Sequence, residues 1–161
     1  MSMTSANKKF VFSDVGHCLV FGFGVGLSPR MPGTVGTLLA FPAYWGASFL
    51  AEWGSWALFV VLFVGGIYLC GRTGRALNKH DDGGMVLDEI AAFYAVLLCI
   101  PEDYQWQAAA FVLFRFFDAV KPPPIGWLDK NIGGGLGVMI DDLAAAAATV
   151  AVLLIARNFL A

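Results

Sequence analysis

The stretch GGGLGVMIDDLAAAAATVAVLLIA, Gly133 to Ala156, sets a cluster of glycines and two adjacent carboxylates, Asp141 and Asp142, against fourteen residues from Leu143 that carry no charge. An apolar run of that length leaves water for lipid or for a protein core, whereas paired acids stay where water or a cation can reach them. The reading of the whole chain follows from how this conflict is resolved.

The surrounding composition decides for lipid. Of the 161 residues, 58% are hydrophobic and 14% are charged, and the mean hydropathy is +0.71. A soluble domain carries about 25% charged residues, so this chain has too little polar surface to cover itself. A net charge of −2 without a basic face excludes nucleic acid as a partner. Cys18, Cys70 and Cys99 have no metal-binding spacing, and the last two lie in apolar runs as small hydrophobes.

No charge occurs between Arg30 and Glu52 or between Glu52 and Arg72, and each interval is long enough for a membrane helix of about 17–25 residues. Pro42 is expected to kink the first. Ile90–Ile100 and Tyr104–Phe114 are shorter runs separated by Pro101, Glu102 and Asp103, predicting a helical hairpin. Leu143–Leu160 forms the last span, with Arg157 near its end. The expectation is an all-α membrane bundle of about five helices, preceded by a short re-entrant or interfacial helix within Val15–Leu27. Residues 1–14 are expected to form a tail and residues 15–161 one membrane-embedded domain.

Lys8, Lys9 and Arg30 precede the first span, Arg72, Arg75 and Lys79 follow the second, and Arg115, Lys121 and Lys130 surround the loop after the fourth. The turns at Glu52 and at Glu102–Asp103 carry no Lys or Arg. Basic loops mark the cytoplasmic side, so all of these fall there. Eight of the twelve carboxylates, Asp81, Asp82, Asp88, Glu89, Asp118, Asp129, Asp141 and Asp142, gather on the same side.

Asp88–Glu89 and Asp141–Asp142 are each expected at the start of an apolar helix, where capping explains either pair taken alone. Asp118 does not fit, because it closes a helix, where the dipole opposes a negative charge; Arg115, Lys121 or a bound cation would have to compensate it. Gathered carboxylates repel unless a cation is present, and oxygen ligands select a hard ion, Mg²⁺ before Mn²⁺ or Ca²⁺. His80 is read as a ligand, a proton carrier or simply a polar loop residue. In GLSPRMPGTVGTL, Gly26 to Leu38, glycines 26, 33 and 36 are expected to bend the backbone around an anion, with Gly33 and the hydroxyls of Ser28, Thr34 and Thr37 near it and Arg30 beside them. Lys121, ahead of three prolines, adds a second cation. Cysteinyl-phosphate, aspartyl-phosphate, P-loop and G-x-S-x-G devices are all missing.

The segments GLSPRMPGTVGTL, HDDGGMVLDE (His80–Glu89) and FRFFDAVKPPPIGWLDKNIGGGLGVMIDDLAA (Phe114–Ala145) resemble the phosphatidylglycerophosphatase A family. The resemblance implies a magnesium-dependent lipid phosphatase of the bacterial inner membrane, multi-pass, with its site facing the cytoplasm. Its substrate would be phosphatidylglycerophosphate, hydrolysed to phosphatidylglycerol and inorganic phosphate. Matching positions are Asp88, Glu89, Asp118, Lys121, Asp141 and Asp142, with Asp81, Thr34 and the loop glycines also aligned. Ala92 stands where the family usually has glycine, and Gly133 where some members carry a polar residue.

The expected arrangement places Mg²⁺ on Asp88, Glu89, Asp141 and Asp142, the phosphate on Lys121, Arg115 and the Gly26–Gly36 loop, and proton transfer on Asp118 or Asp81. A CDP-alcohol phosphatidyltransferase-like enzyme is the alternative, but DDGGMVLDE lacks its arginine. An ion-coupled transporter would want the acids near mid-bilayer rather than at helix ends.

Overall fold

From Glu52 to Leu77 the chain runs as one 26-residue helix, because nothing in the segment interrupts it: no proline, and an apolar run up to Arg72. It ends where Asn78 adopts the left-handed conformation (φ 55°). The amides of Asn78 and Lys79 then donate to the carbonyls of Arg75 and Gly74, satisfying groups the helix end would leave open. In this computed structural model residues 6–160 are described, and among them every regular element is helical. In order these are α1 (Lys8–Val11), α2 (Val15–Val20), a 3-10 segment (Gly22–Leu27), α3 (Pro32–Leu38), α4 (Ala40–Ala47), α5 (Glu52–Leu77), α6 (Leu87–Cys99), α7 (Tyr104–Val120), α8 (Ile125–Asn131) and α9 (Gly134–Leu160).

The all-α expectation holds, and the count of membrane helices is where the structure differs. Two helices are long and apolar enough to cross a bilayer, α5 and α9. The first expected span is split into α3 and α4 at Leu39. Pro42 has no amide for the Leu38 carbonyl, so the ladder breaks one turn before it and Leu39 bonds back to Gly36 instead. The 13 residues of α6 rise only about 20 Å, short of a hydrocarbon core of about 30 Å. Helix α6 is instead the buried axis of the bundle: Ile90, Ala91, Ala92, Phe93, Tyr94, Val96 and Leu97 are all inaccessible. The lipid-facing character lies on α5 and α9, where Val60, Val61, Val64, Val152, Leu154 and Ile155 are exposed. Of the expected tail, residues 1–5 lie outside the described residues; α1 follows them, and its Val11 is fully buried.

Helix α9 packs on α5, α6, α7 and α8 and holds them together. Its approach to α5 depends on Gly135, where an added Cβ would collide with the Ile67 carbonyl and stand 2.7 Å from the Gly71 amide. Small residues let two membrane helices touch through their backbones. Gly135→Val is therefore expected to force α5 and α9 apart and to lower stability by about 1–3 kcal/mol. Thermal unfolding in detergent would measure it, and an unchanged midpoint would remove Gly135 from the crossing.

The same glycines overturn a sequence expectation. Helix α9 begins at Gly134, so Asp141 and Asp142 lie two turns inside it rather than at its start. No free amide remains there for them to cap.

The candidate active site

Four separate elements converge at one end of the bundle. The loop before α3 and the first turns of α3 lie along the start of α6. A Cβ at Gly26 would strike the Gly84 carbonyl, one at Gly36 would stand 2.8 Å from Val86 Cγ1, and one at Gly33 would collide with the Glu89 carboxylate. These glycines let the loop and α3 pass close against the start of α6. Their effect on the site is indirect, since they let Thr37 and Glu89 come together under α7.

Arg115 of α7 organises the first half of the site. Its guanidinium lies 2.7 Å from Asp118 Oδ2, one turn on along the same helix, and 3.0 Å from Glu89 Oε1. It also donates to Thr37 Oγ1 at 3.2 Å, and the Thr37 hydroxyl donates in turn to the Gly33 carbonyl at 2.8 Å. Asp118 is thereby compensated by Arg115, one of the two local cations the sequence offered.

Lys121 organises the second half. It ends α7 in the left-handed conformation (φ 46°), a strained state for a side-chain-bearing residue, and Pro122 after it has no amide with which to continue the helix. From there its ammonium reaches Asp141 Oδ2 at 2.5 Å and Asp129 Oδ1 at 2.7 Å. Burial disfavours the Lys121 charge, but the hydrogen bonds to Asp129 and Asp141 outweigh it and hold the ammonium above the ordinary lysine range. The Lys121 hydrogen bond likewise keeps Asp129 below the usual carboxylate range.

Asp88 and Asp142, paired with neither cation, are buried and mutually repulsive. Asp88 Oδ1, Glu89 Oε2, Asp141 Oδ1 and Asp142 Oδ2 are buried acceptors without a hydrogen-bond partner, and Arg115 Nε is a buried donor without one. Among the described residues no three His, Cys, Asp or Glu side chains close up into a ready metal cage. Arg115 holds Glu89 and Lys121 holds Asp141. The donor type nevertheless suits a hard cation: four desolvated carboxylate oxygens, each lacking a proton donor.

Asp81 keeps a face to solvent, yet desolvation and the nearby Asp141 raise its pKa, and it in turn acts on Asp88 and Glu89. Ser28 donates to the Arg30 carbonyl within its own loop at 3.0 Å, and Thr34, in the first turn of α3, is half-buried. Arg115 and Lys121 are both engaged with acids rather than held open for an anion. Thr37, one of the hydroxyls the loop offered, and Asp129, one of the gathered acids, are brought in as partners of Arg115 and Lys121. Thr37 stands four residues after Gly33, a spacing at which a hydroxyl bonds back to a helix carbonyl.

The family model for phosphatidylglycerophosphatase A matches residues 18–157. A phosphatidylglycerophosphatase A of Escherichia coli is 42% identical over 150 residues, covering 92% of this chain and 87% of that protein. One of Haemophilus influenzae is 41% identical over 150 residues, covering 89% and 91% respectively. No solved structure matches the chain.

Proposed function

The chain belongs to the phosphatidylglycerophosphatase A family, and on that premise we propose that it is a Mg²⁺-dependent phosphatase converting phosphatidylglycerophosphate to phosphatidylglycerol and inorganic phosphate. The observation that carries this reading is the set of four unpartnered buried carboxylate oxygens, two of them on acids that Arg115 and Lys121 hold. Asp88, Glu89, Asp141 and Asp142 would hold the ion. When bound, it would polarise the phosphoryl oxygens and lower the pKa of a water beside them.

The chain's own groups carry the rest. Arg115 Nε, buried and without an acceptor, is free to donate to a non-bridging phosphate oxygen. The Lys121 ammonium lies beside Asp141, where it balances charge that grows on the transferred phosphoryl group. Water attacks phosphorus and gives up a proton to a carboxylate, the bond from phosphorus to the glycerol oxygen breaks, and that oxygen takes the proton. Asp118, fixed by Arg115, and Asp81, exposed to solvent, are the two candidates to supply it.

The excess of Lys and Arg at the site end supports a cytoplasmic orientation of that end in a bacterial inner membrane, where the substrate's headgroup would meet water. In this reading α3–α4, α6 and α7 complete a five-helix bundle around α5 and α9, the shorter members being carried by the two full spans. Acyl chains would lie against the exposed valines of α5 and the apolar end of α9.

Purified protein in neutral detergent is expected to release phosphate from phosphatidylglycerophosphate with Mg²⁺, to stop in EDTA and to resume when Mg²⁺ is restored. Phosphate release that ignores EDTA would overturn the metal-dependent part of the reading. No release from this lipid would overturn the assignment.

A further inference from the structure

Beside the acidic site, at the same end of the bundle, lies a cleft of about 320 Å³ that the chemistry above does not use. It sits between the last turn of α5 and the start of α9, and its walls include Gly71, Gly74, Arg75, Lys79, His80 and Gly134. Its character is opposite to that of its neighbour. Arg75 has no carboxylate partner among the described residues, and Lys79 shares one with Asp82 at 2.6 Å.

The cleft is built by the chain reversal after α5. The Lys79 and His80 carbonyls cross so close to Gly74 that a Cβ there would stand 2.7 Å and 3.0 Å from them. His80 is thereby laid against α9: a Cβ at Gly137 would be 3.4 Å from His80 Cε1, and one at Gly133 would be 3.7 Å from His80 Nε2. Four residues beyond Gly137, on the same face and about 6 Å farther along the axis, is Asp141. The basic cleft therefore lies next to the carboxylate site along one face of α9.

On the reading above, the substrate carries two phosphates one glycerol apart: the terminal monoester that is cleaved and an internal diester that is not. The acidic site has cations only for the first, and both of those are already paired with carboxylates. We infer that the cleft holds the internal phosphodiester, with Arg75 as its principal cation and Lys79 as the second. This inference rests on the phosphatidylglycerophosphate reading. It makes Arg75 a specificity determinant, distinguishing lipids with a diester next to the monoester from lipid monoesters that have none.

Both reaction products serve as probes, because phosphatidylglycerol retains the diester and inorganic phosphate lacks it. In neutral-detergent micelles, Arg75→Gln is expected to raise KM for phosphatidylglycerophosphate and the inhibition constant of phosphatidylglycerol by roughly tenfold each. Inhibition by inorganic phosphate should not change, and Arg75→Lys should recover part of the loss. Lys79→Gln should move the same two constants less, and it keeps the question answerable if Arg75→Gln fails to fold. Equal weakening of phosphatidylglycerol and inorganic phosphate, or no change in either, would overturn the inference. So would inhibition by phosphatidylglycerol that is not competitive with substrate, since the cleft would then take a bystander lipid. Wild-type protein that releases no phosphate from the substrate would instead remove the underlying reading.

Discussion

Asp142→Asn is expected to lower phosphate release by roughly 10²- to 10³-fold while raising the unfolding midpoint of the metal-free protein. The two effects have one cause. Asp142 is only 4% exposed, two turns inside α9, with one carboxylate oxygen lacking any donor and Asp88 close enough to repel it. A carboxylate in that position costs stability, and asparagine keeps its shape while removing the charge and adding an N–H donor toward the unpartnered Asp88 oxygen. For a chain of this size each kcal/mol recovered appears as a midpoint rise of about 2–4 °C. Mg²⁺ should raise the wild-type midpoint and leave that of the variant nearly unchanged, because a ligand stabilises only the state that binds it. Wild-type turnover in the variant, or a fall in the metal-free midpoint, would mean that Asp142 serves the fold rather than the site.

What the sequence made legible were features whose cause is local. The charge-free intervals found α5 and α9, and Pro42 marked a break that falls at Leu39, three residues earlier, because the missing amide acts back along the helix. Gly133–Gly137 misled for a physical reason. Glycine is a poor helix former and reads as a loop, yet here the contact with Ile67 and Gly71 requires a backbone without a side chain, and helix α9 starts early to provide it. That shift removed capping as an explanation for Asp141 and Asp142. The acids themselves were legible because so many fell on one side of the expected topology. Their partners were not: Arg115 reaches Glu89 across 26 residues and Thr37 across 78, and Lys121 reaches Asp141 across 20, separations that no periodicity encodes. The short α6 was read as part of a spanning hairpin because its apolarity is that of a membrane helix. Its surface is covered by protein instead of lipid, and composition does not distinguish the two.

Arg115→Met is expected to be the most destabilising single change at the site, by about 3–5 kcal/mol, because it leaves two carboxylates without their cation. Arg115, Glu89 and Asp118 side chains are only 20%, 12% and 11% exposed, so solvent does little to replace the lost partner. The expected midpoint drop would appear by thermal unfolding in detergent, together with loss of phosphate release. Adding Glu89→Gln and Asp118→Asn to Arg115→Met separates the two roles of the arginine. With all three charges gone there is no buried ion left uncompensated, and much of the lost stability should return. Activity should not return, because Arg115 Nε no longer faces the phosphate and Glu89 no longer offers its free oxygen. Recovery of turnover along with stability in the triple variant would reduce Arg115 to a clamp between α6 and α7. Stability without turnover would mean that the same guanidinium holds the two helices together through two carboxylates and reserves its remaining donor for the substrate.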